Sequence, residues 1–220
     1  MPLIEIGPHR FNTKADVERC IRLLLESQRP TGSAFKEIAP EHTEFVAALL
    51  DLHPHKNIVI GPGVKRYCCE ACGPTALRFM IERVDGTIWD FSWRNCISPP
   101  TQAKRLNSVL RIEVQDQIDE FRRSLRFPLQ CPVSKDIIYA SNCHVDHAKP
   151  NTFAAIVDRW LQATGYSPDF IELLHKDKYG GRSSIKDAAI AQQWKNYHRA
   201  NANLRAVSVR ANLSILRKGA

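Results

Sequence analysis

The chain has 220 residues, of which 44% are apolar and 25% are charged, and its formal net charge is +8. This composition excludes a disordered or collagen-like chain, and no stretch approaches the ~18 consecutive apolar residues of a membrane helix. We expect a soluble, intracellular and cytoplasmic protein without a signal peptide. The positive charge favours an anionic partner such as nucleic acid, although basic residues also serve solubility alone.

The first hundred residues carry the patterns of two amphipathic helices followed by three strands. Asp85-Gly86 lies between the last two strands and is typical of a hairpin turn. Ser98-Pro99-Pro100 ends this small α+β domain, because proline continues neither a helix nor a central strand. The helices are predicted at residues 13–27 and 41–52, and the strands at residues 65–69, 77–83 and 87–93.

The rest of the chain is predicted to be mostly helical, with one short β section. We expect an α+β fold in three parts: residues 1–100, a linking helix within residues 101–128, and a domain of residues 129–220. The linking helix is predicted at residues 103–125, the β section at residues 137–146, and the later helices at residues 152–163, 185–198 and 206–217.

Seven cysteines are scattered through the chain, and an odd number without a secretion signal does not indicate a disulfide framework. Cys69-x-x-Cys72 could form half of a zinc site, but no second pair follows at comparable spacing. Reduced, buried cysteines are therefore expected.

The segment from Cys143 to Pro150 holds the most informative chemistry. Asp146, a potential metal ligand, directly precedes His147 at the end of the predicted β section. Neighbouring side chains of a regular strand point to opposite faces, so both can serve one substrate only if the strand ends here. His144 then shares a face with Asp146.

A second segment, from Asn203 to Asn212, could complete a metal site. If Asn203 lies in the turn before the last predicted helix, Asn212 lies about two turns inside that helix, where its amide oxygen could meet the same cation as Asp146. His198, near the end of the preceding helix, is expected to pack or to cap that helix.

Together, Asp146-His147-x-x-Pro150, Asn203-Leu204 and Asn212 resemble the HNH, or ββα-metal, nuclease motif. The resemblance covers roughly residues 131–218 and implies a ββα motif with a helical insertion. It implies that Asp146 and Asn212 bind one Mg²⁺ or Mn²⁺, that His147 is the general base and that Asn203 orients it. The implied reaction is hydrolysis of DNA to 5′-phosphate and 3′-hydroxyl ends.

This chain departs from many HNH members at the structural zinc site. Ser208 and Ala211 stand at the positions of the second Cys-x-x-Cys pair, and the first pair keeps Cys131 but has Ser134. We therefore expect no structural zinc. The interval between His147 and Asn203 is also long, and we interpret its helices as an insertion that packs over the motif.

The N-terminal part resembles the DCL domain over about residues 7–97. The resemblance is carried by Phe11-Asn12-Thr13-Lys14, by residues 49–54 and 60–65, and by residues 83–97. That family occurs in plant organelle proteins and as a module in bacterial and phage proteins. It implies a nucleic-acid-binding module without defined catalytic residues.

Basic and aromatic residues in both halves are candidates for contact with nucleic acid. In the first half, an equally good interpretation makes the tryptophans part of the core and leaves the basic residues in solvent. The candidates are Lys65, Arg66, Trp93, Arg94, Lys149, Arg205, Arg210, Arg217 and Lys218.

The sequence thus predicts a two-part, metal-dependent DNA endonuclease, with RNA as a possible substrate and no membrane partner. A homodimer is expected if the enzyme breaks both strands. The alternative is a non-catalytic nucleic-acid-binding or RNA-processing factor built on the same scaffold. A small-molecule metalloenzyme has no support, because no second cluster of metal ligands is apparent at usable spacing.

Overall fold

The chain folds into two compact units, which comprise Met1–Pro100 (unit 1) and Thr101–Ala220 (unit 2). The computed structural model describes residues 3–32, 35–73, 75–174 and 183–216. The mixture of helices and small antiparallel sheets confirms the predicted α+β class. None of the helices in these ranges combines the length and the hydrophobicity that a membrane span requires.

Unit 1 is built on a four-stranded antiparallel sheet. Its elements are β1 (Ile4–Ile6), β2 (His9–Phe11), α1 (Lys14–Ser27), β3 (Phe35–Glu37), α2 (Pro40–Asp51), α3 (Lys56–Ile60), β4 (Val64–Ala71), β5 (Leu77–Arg83), β6 (Ile88–Phe91) and α4 (Trp93–Ile97). The sheet order is β3-β4-β5-β6, and β1 pairs separately with β2. The sheet contributes Phe79 and Ile81 to one core with the apolar faces of α1 and α2.

Local signals fixed several elements of unit 1 as predicted. Thr13 caps α1, because its hydroxyl accepts from the backbone N–H of Asp16 while the Asp16 side chain accepts from Thr13. The predicted hairpin joins β5 to β6, and Gly86 adopts a φ of +80°, which favours glycine. Strand β6, predicted at residues 87–93, is shorter than predicted, because it ends at Phe91 and Trp93 begins α4.

Arg83 is a buried cation that the strand pattern did not single out. Only 4% of the residue is exposed, and its guanidinium donates hydrogen bonds to the carbonyl oxygens of Ile58 and Val59. The guanidinium also lies 4.2 Å from the ring centre of Trp89. Burial lowers the pKa of Arg83 below its ordinary value. This side chain therefore fastens the end of α3 to the sheet.

Replacing Arg83 with leucine is expected to destabilise unit 1 by about 2 kcal/mol or more, because the buried carbonyl of Val59 and the partly buried carbonyl of Ile58 lose their donor. Arg78→Leu on the same strand is the matched control, since Arg78 forms half-exposed ion pairs that contribute little. Urea denaturation of both variants measures the difference. Equal losses of stability would contradict the role given to Arg83.

Unit 2 combines helices with short two-stranded sheets. Its elements are α5 (Gln102–Glu113), α6 (Gln115–Ser124), β7 (Leu129–Gln130), β8 (Ile137–Ile138), a 3-10 helix (Ala140–Asn142), β9 (Cys143–His147), α7 (Phe153–Thr164), β10 (Leu173–Leu174), β11 (Ser184–Ile185), α8 (Ala188–Asn201), β12 (Leu204–Ser208) and a π-helical segment (Ala211–Ile215). In the described residues of this unit, β7 pairs with β8, β9 with β12, and β10 with β11, each time antiparallel.

The single linking helix predicted at residues 103–125 is wrong. Two helices occupy this stretch and meet at Val114, whose φ of −108° and ψ of 10° end α5. Leu106 and Leu110 of α5 are buried in the same core as Trp160 and Trp194, so the segment is part of unit 2. Helical spacing of apolar residues does not reveal the one residue at which the backbone leaves helical geometry.

The last helix, predicted at residues 206–217, is also wrong in its first part. Residues 204–208 form β12 and pair with β9, so helical structure starts only after Ser208. The positions of Leu204 and Ala206 fit both the helical and the strand period of apolar residues. The pairing with the distant strand β9 decides in favour of the strand. A separate small core, which includes Cys131, Ile138 and Val207, supports this strand pair.

Candidate functional site

Two strands from distant parts of the chain bring the candidate residues together. β9 and β12 are antiparallel, with Asp146 opposite Arg205 and His147 opposite Leu204. The π-helical segment follows β12 and carries Asn212. The local order is therefore strand, strand and helical segment, with residues 148–203 inserted between the two strands.

Asp146 forms an ion pair across this strand pair. Arg205 donates from Nε at 2.9 Å and from Nη2 at 2.7 Å, and both hydrogen bonds end on Oδ2 of Asp146. The two side chains are about one quarter exposed. Arg205 is a strand residue whose charge is paired with the proposed metal ligand.

Asn212 contacts the residue two positions before Asp146 on β9. Its amide Nδ2 donates to Nδ1 of His144 at 2.8 Å. His144 and Asp146 lie on the same face of the strand, because side chains alternate along it. Asn212 and Asp146 are thus drawn to one face, although the structure forms no hydrogen bond between them among its described residues.

His147 lies on the other side of β9, against the inserted helices. Its Nε2 is 2.9 Å from Nε2 of His198, and its ring meets Phe153 edge-on at 5.3 Å. Burial and the nearby Arg111 lower the pKa of His147, while Asp146 raises it less. The strand continues through His147, so the expectation that it ends before this residue and aims both side chains at one point is corrected.

His198 is completely buried and does more than pack or cap its helix. Its Nδ1 bonds to Oε1 of Gln117 at 2.8 Å, and burial together with His147 lowers its pKa to about 4. The predicted orienting residue, Asn203, is exposed and accepts a hydrogen bond from Ala148 through its backbone oxygen at 2.8 Å. The ring of His147 instead shares a hydrogen bond with the ring of His198.

Hydrogen bonds connect Cys131, Ser134, Ser208 and Ala211, the four positions that the resemblance assigned to a structural zinc site. Cys131 Sγ accepts from the backbone N–H groups of Ser134 and Ser208, and the two serine hydroxyls lie 2.8 Å apart. Both hydroxyls also donate to Asp136, at 2.7 and 3.2 Å. Arg210 completes the network with two bonds to the Asp136 carboxylate.

The Cys131 thiol has an unusual environment for a buried cysteine. Burial alone would raise the pKa of this thiol. Hydrogen bonds from Ser134 and from the backbone of Ser208 and Val133 outweigh burial and lower the pKa to about 6. Cys69 and Cys72 do not form a comparable centre: Cys69 is buried and Cys72 is exposed, and both thiols are free.

The basic residues predicted to contact nucleic acid are mostly engaged with carboxylates. Lys65 and Arg66 both bind Glu82, at 2.7 and 2.6 Å. Trp93 is only 5% exposed and belongs to the core, which agrees with the second interpretation of the tryptophans and leaves its ring unavailable to an exposed base. Arg94 remains exposed, with its guanidinium 4.4 Å from the Trp93 ring centre.

In unit 2, Arg210 is exposed but its charge is paired with Asp136. Lys149 is exposed, two residues after the end of β9. Arg217 and Lys218 lie outside the described residues. In the described part of the chain, no group of three or more His, Cys, Asp and Glu side chains could hold a metal ion.

Acidification is expected to destabilise unit 2 between about pH 6.5 and pH 4. The folded pKa of His198 is about 4, whereas an unfolded histidine titrates near 6.5, so the unfolded chain binds more protons in this range. The free energy of unfolding therefore falls as the pH falls. Urea denaturation at several pH values, followed by the NMR signals of Trp160 and Trp194, measures the slope.

His198→Gln should flatten that slope, while His9→Gln at an exposed position in unit 1 should leave it unchanged. An identical slope in the wild type and in His198→Gln would contradict the assignment of the pH dependence to His198.

Comparisons with known proteins give similarities but no activity. A family model described as a protein of unknown function, DUF3223, matches residues 30–97, which lie within unit 1. No curated protein matches the chain. An uncharacterized protein from Rhodospirillum rubrum, solved by solution NMR, is 28% identical over 42% of this chain and 86% of its own, with a TM-score of 0.38.

Proposed function

We propose that unit 2 is a metal-dependent endonuclease domain of the HNH type, which hydrolyses DNA to 5′-phosphate and 3′-hydroxyl ends. The observation that carries the proposal is the succession of β9, β12 and the π-helical segment. These elements carry Asp146 and His147, then Arg205, then Asn212. The order strand, strand and helical segment, with Asp146 and His147 on the first and Asn212 on the last, is the one that the resemblance to the HNH motif implies.

The donor atoms of this face suit a hard divalent cation. Arg205 binds Oδ2 of Asp146, so Oδ1 is the oxygen that can bind a cation while the ion pair persists. Asn212 donates to His144 through its amide nitrogen, so its carbonyl oxygen remains as a donor to the cation. A carboxylate and an amide oxygen favour Mg²⁺ or Mn²⁺ over thiolate-seeking metals.

The side chains then divide the work of hydrolysis. A cation held by Asp146 and Asn212 would stabilise the negative charge that develops on the phosphate. His147 accepts the proton of the attacking water, and its lowered pKa keeps the imidazole neutral near pH 7. Arg205 lies beside Asp146 and can donate a charge-assisted hydrogen bond to a phosphate oxygen.

Unit 1 is proposed to contribute to nucleic-acid recognition. The net charge of +8 supports an anionic partner, and Arg94 is its exposed basic candidate beside an aromatic ring. DNA is the proposed substrate, and RNA is the other nucleic acid to test. One motif cuts one strand at a time, so double-strand breaks would require a dimer. Such an enzyme would act in the cytoplasm, in a bacterial or phage-like context.

The alternative, a non-catalytic nucleic-acid-binding or RNA-processing factor, is favoured by two specific observations. Asp146 is already neutralised by Arg205, which a bound cation must tolerate or displace. His147 contacts the inserted helices rather than the face that carries Asp146. A scaffold in which these groups serve only stability would have both features.

Cleavage of supercoiled plasmid DNA separates the two functions. The wild type is expected to nick the plasmid with Mg²⁺ or Mn²⁺ and to stop when EDTA is added. Asp146→Ala should not cleave, whereas Asp158→Ala, an exposed aspartate on α7 of the same unit, should cleave normally. Plasmid binding without cleavage under any of these metal conditions would reject the nuclease and favour the alternative.

A further inference from the structure

A chain of three side chains leads from α6 through α8 to His147. Gln117 of α6 donates from Nε2 to the backbone oxygen of Lys195 at 2.9 Å. Its Oε1 lies 2.8 Å from Nδ1 of His198, and Nε2 of His198 lies 2.9 Å from Nε2 of His147. Each member therefore contacts the next through a different atom, and the chain ends at the proposed base.

The direction of every hydrogen bond in this chain follows from its first member. The amide group of Gln117 donates to a carbonyl oxygen, so its own Oε1 faces His198 and can only accept. Nδ1 of His198 must then carry the proton. In a neutral imidazole the other nitrogen has a lone pair, so Nε2 of His198 accepts from Nε2–H of His147. Nδ1 of His147 keeps its lone pair.

We propose that Gln117 and His198 are positioning residues that hold His147 in the tautomer protonated at Nε2, which makes Nδ1 the nitrogen that accepts the proton of water. The catalytic consequence rests on the proposed nuclease function, but the tautomer itself does not. Neither residue touches the substrate, and both act through His147.

The surroundings of the two rings favour this neutral arrangement. His198 is fully buried beside Trp194 and Phe153, and no acidic group contacts its ring among the described residues. The ring of His147 faces Phe153 of α7, and the guanidinium of Arg111 of α5 lies 3.9 Å from the centre of the Phe153 ring. Asp146, on the same strand, is neutralised by Arg205. A positive charge on either imidazole would therefore lie near the guanidinium of Arg111, and the nearest carboxylate would already be paired.

The first test is the tautomer of each histidine in the full-length wild type. Long-range ¹H–¹⁵N NMR at pH 8 distinguishes the protonated from the unprotonated ring nitrogen. The expected result is protonation at Nε2 of His147 and at Nδ1 of His198. Protonation of His147 at Nδ1 would overturn the proposal, whether or not the protein cleaves DNA.

The second test removes the first acceptor, Gln117, so that the hydrogen bonds between the two histidines can reverse their direction. In Gln117→Leu, His198 no longer needs to donate from Nδ1, so it can donate from Nε2 and force His147 into the opposite tautomer. Gln117→Glu keeps an acceptor at this position and should retain the wild-type tautomers. Gln115→Leu on the same helix is the matched control, because Gln115 bonds only to Asp119 among the described partners.

Kinetics then link the tautomer to the proposed activity. Gln117→Leu should lower kcat by about 10²-fold with little change in KM or in Mn²⁺ affinity, and Gln117→Glu should restore most of the rate. An unchanged kcat in a variant whose tautomers have reversed would overturn the positioning role. If the wild type has no nuclease activity, its NMR spectrum still decides the tautomer of His147. A failure of the proposed function can therefore be told apart from a failure of the proposed tautomer.

Discussion

His147→Ala is expected to lower the rate of DNA cleavage by at least about 10²-fold, the usual contribution of a positioned general base. Metal binding and DNA binding should change little, because His147 is the proposed base and not a ligand of the cation. Its contacts are with His198 and Phe153 rather than with Asp146 or Asn212. Single-turnover cleavage, filter binding and metal titration measure the three properties separately.

The control for this prediction is His9→Ala, which removes an exposed histidine from unit 1. His147 is half-buried, so near-UV circular dichroism should first establish that the variant keeps the packing around Phe153 and Trp194. Wild-type turnover in a correctly folded His147→Ala protein would remove this residue from the mechanism.

Asp146→Ala is expected to weaken metal binding more than any other single substitution in the candidate site. Removal of an outer partner of a metal site commonly costs about 10- to 100-fold in affinity, and loss of the only charged ligand should cost at least as much. The same substitution leaves the positive charge of Arg205 without its partner, which repels a cation further. Calorimetric titration with Mn²⁺ measures the loss.

Asn212 provides the matched comparison for this ligand. Asn212→Ala removes a neutral oxygen donor and should weaken Mn²⁺ binding less than Asp146→Ala. Asn212→His replaces that oxygen with an imidazole nitrogen, so it should retain some activity and shift the metal preference towards Zn²⁺ or Ni²⁺. Equal Mn²⁺ affinity in the wild type and in Asp146→Ala would reject this site.

The elements that sequence reasoning located correctly are those with a local cause. The capping box of Thr13 and Asp16 starts α1, Asp85-Gly86 turns β5 into β6, and Thr152 caps α7. Each signal lies within four residues of the structure it produces. Such signals act before any distant part of the chain is involved, so they can be recognised in the sequence alone.

Several features that the sequence did not reveal arise where a distant contact decides the local structure. Residues 204–208 become a strand only because β9 lies beside them. Trp93 has an aromatic ring suited to stacking on a base, yet the core of unit 1 takes it. Arg83 is a basic residue at a strand end, and nothing nearby in the sequence indicates that Ile58 and Val59 will accept its hydrogen bonds.

The candidate site divides in the same way. The residue types and the spacing of Asp146, His147 and Asn212 were visible in the sequence as a pattern. Their partners were not visible, because Arg205, His198 and Gln117 reach the site only through strand pairing and helix packing. His198 lies 51 residues from His147 along the chain, and no local sequence pattern indicates that the two rings form a hydrogen bond.

A crystal structure of the full chain grown with Mn²⁺ would show whether Asp146 and Asn212 form one cation site on the β9–β12 pair. We expect one anomalous peak within about 2.1 Å of both Oδ1 of Asp146 and Oδ1 of Asn212, the separation typical of Mg²⁺-like oxygen coordination. Asp146 bound to Arg205 and Asn212 bound to His144, with Mn²⁺ located elsewhere at saturating concentration, would contradict it.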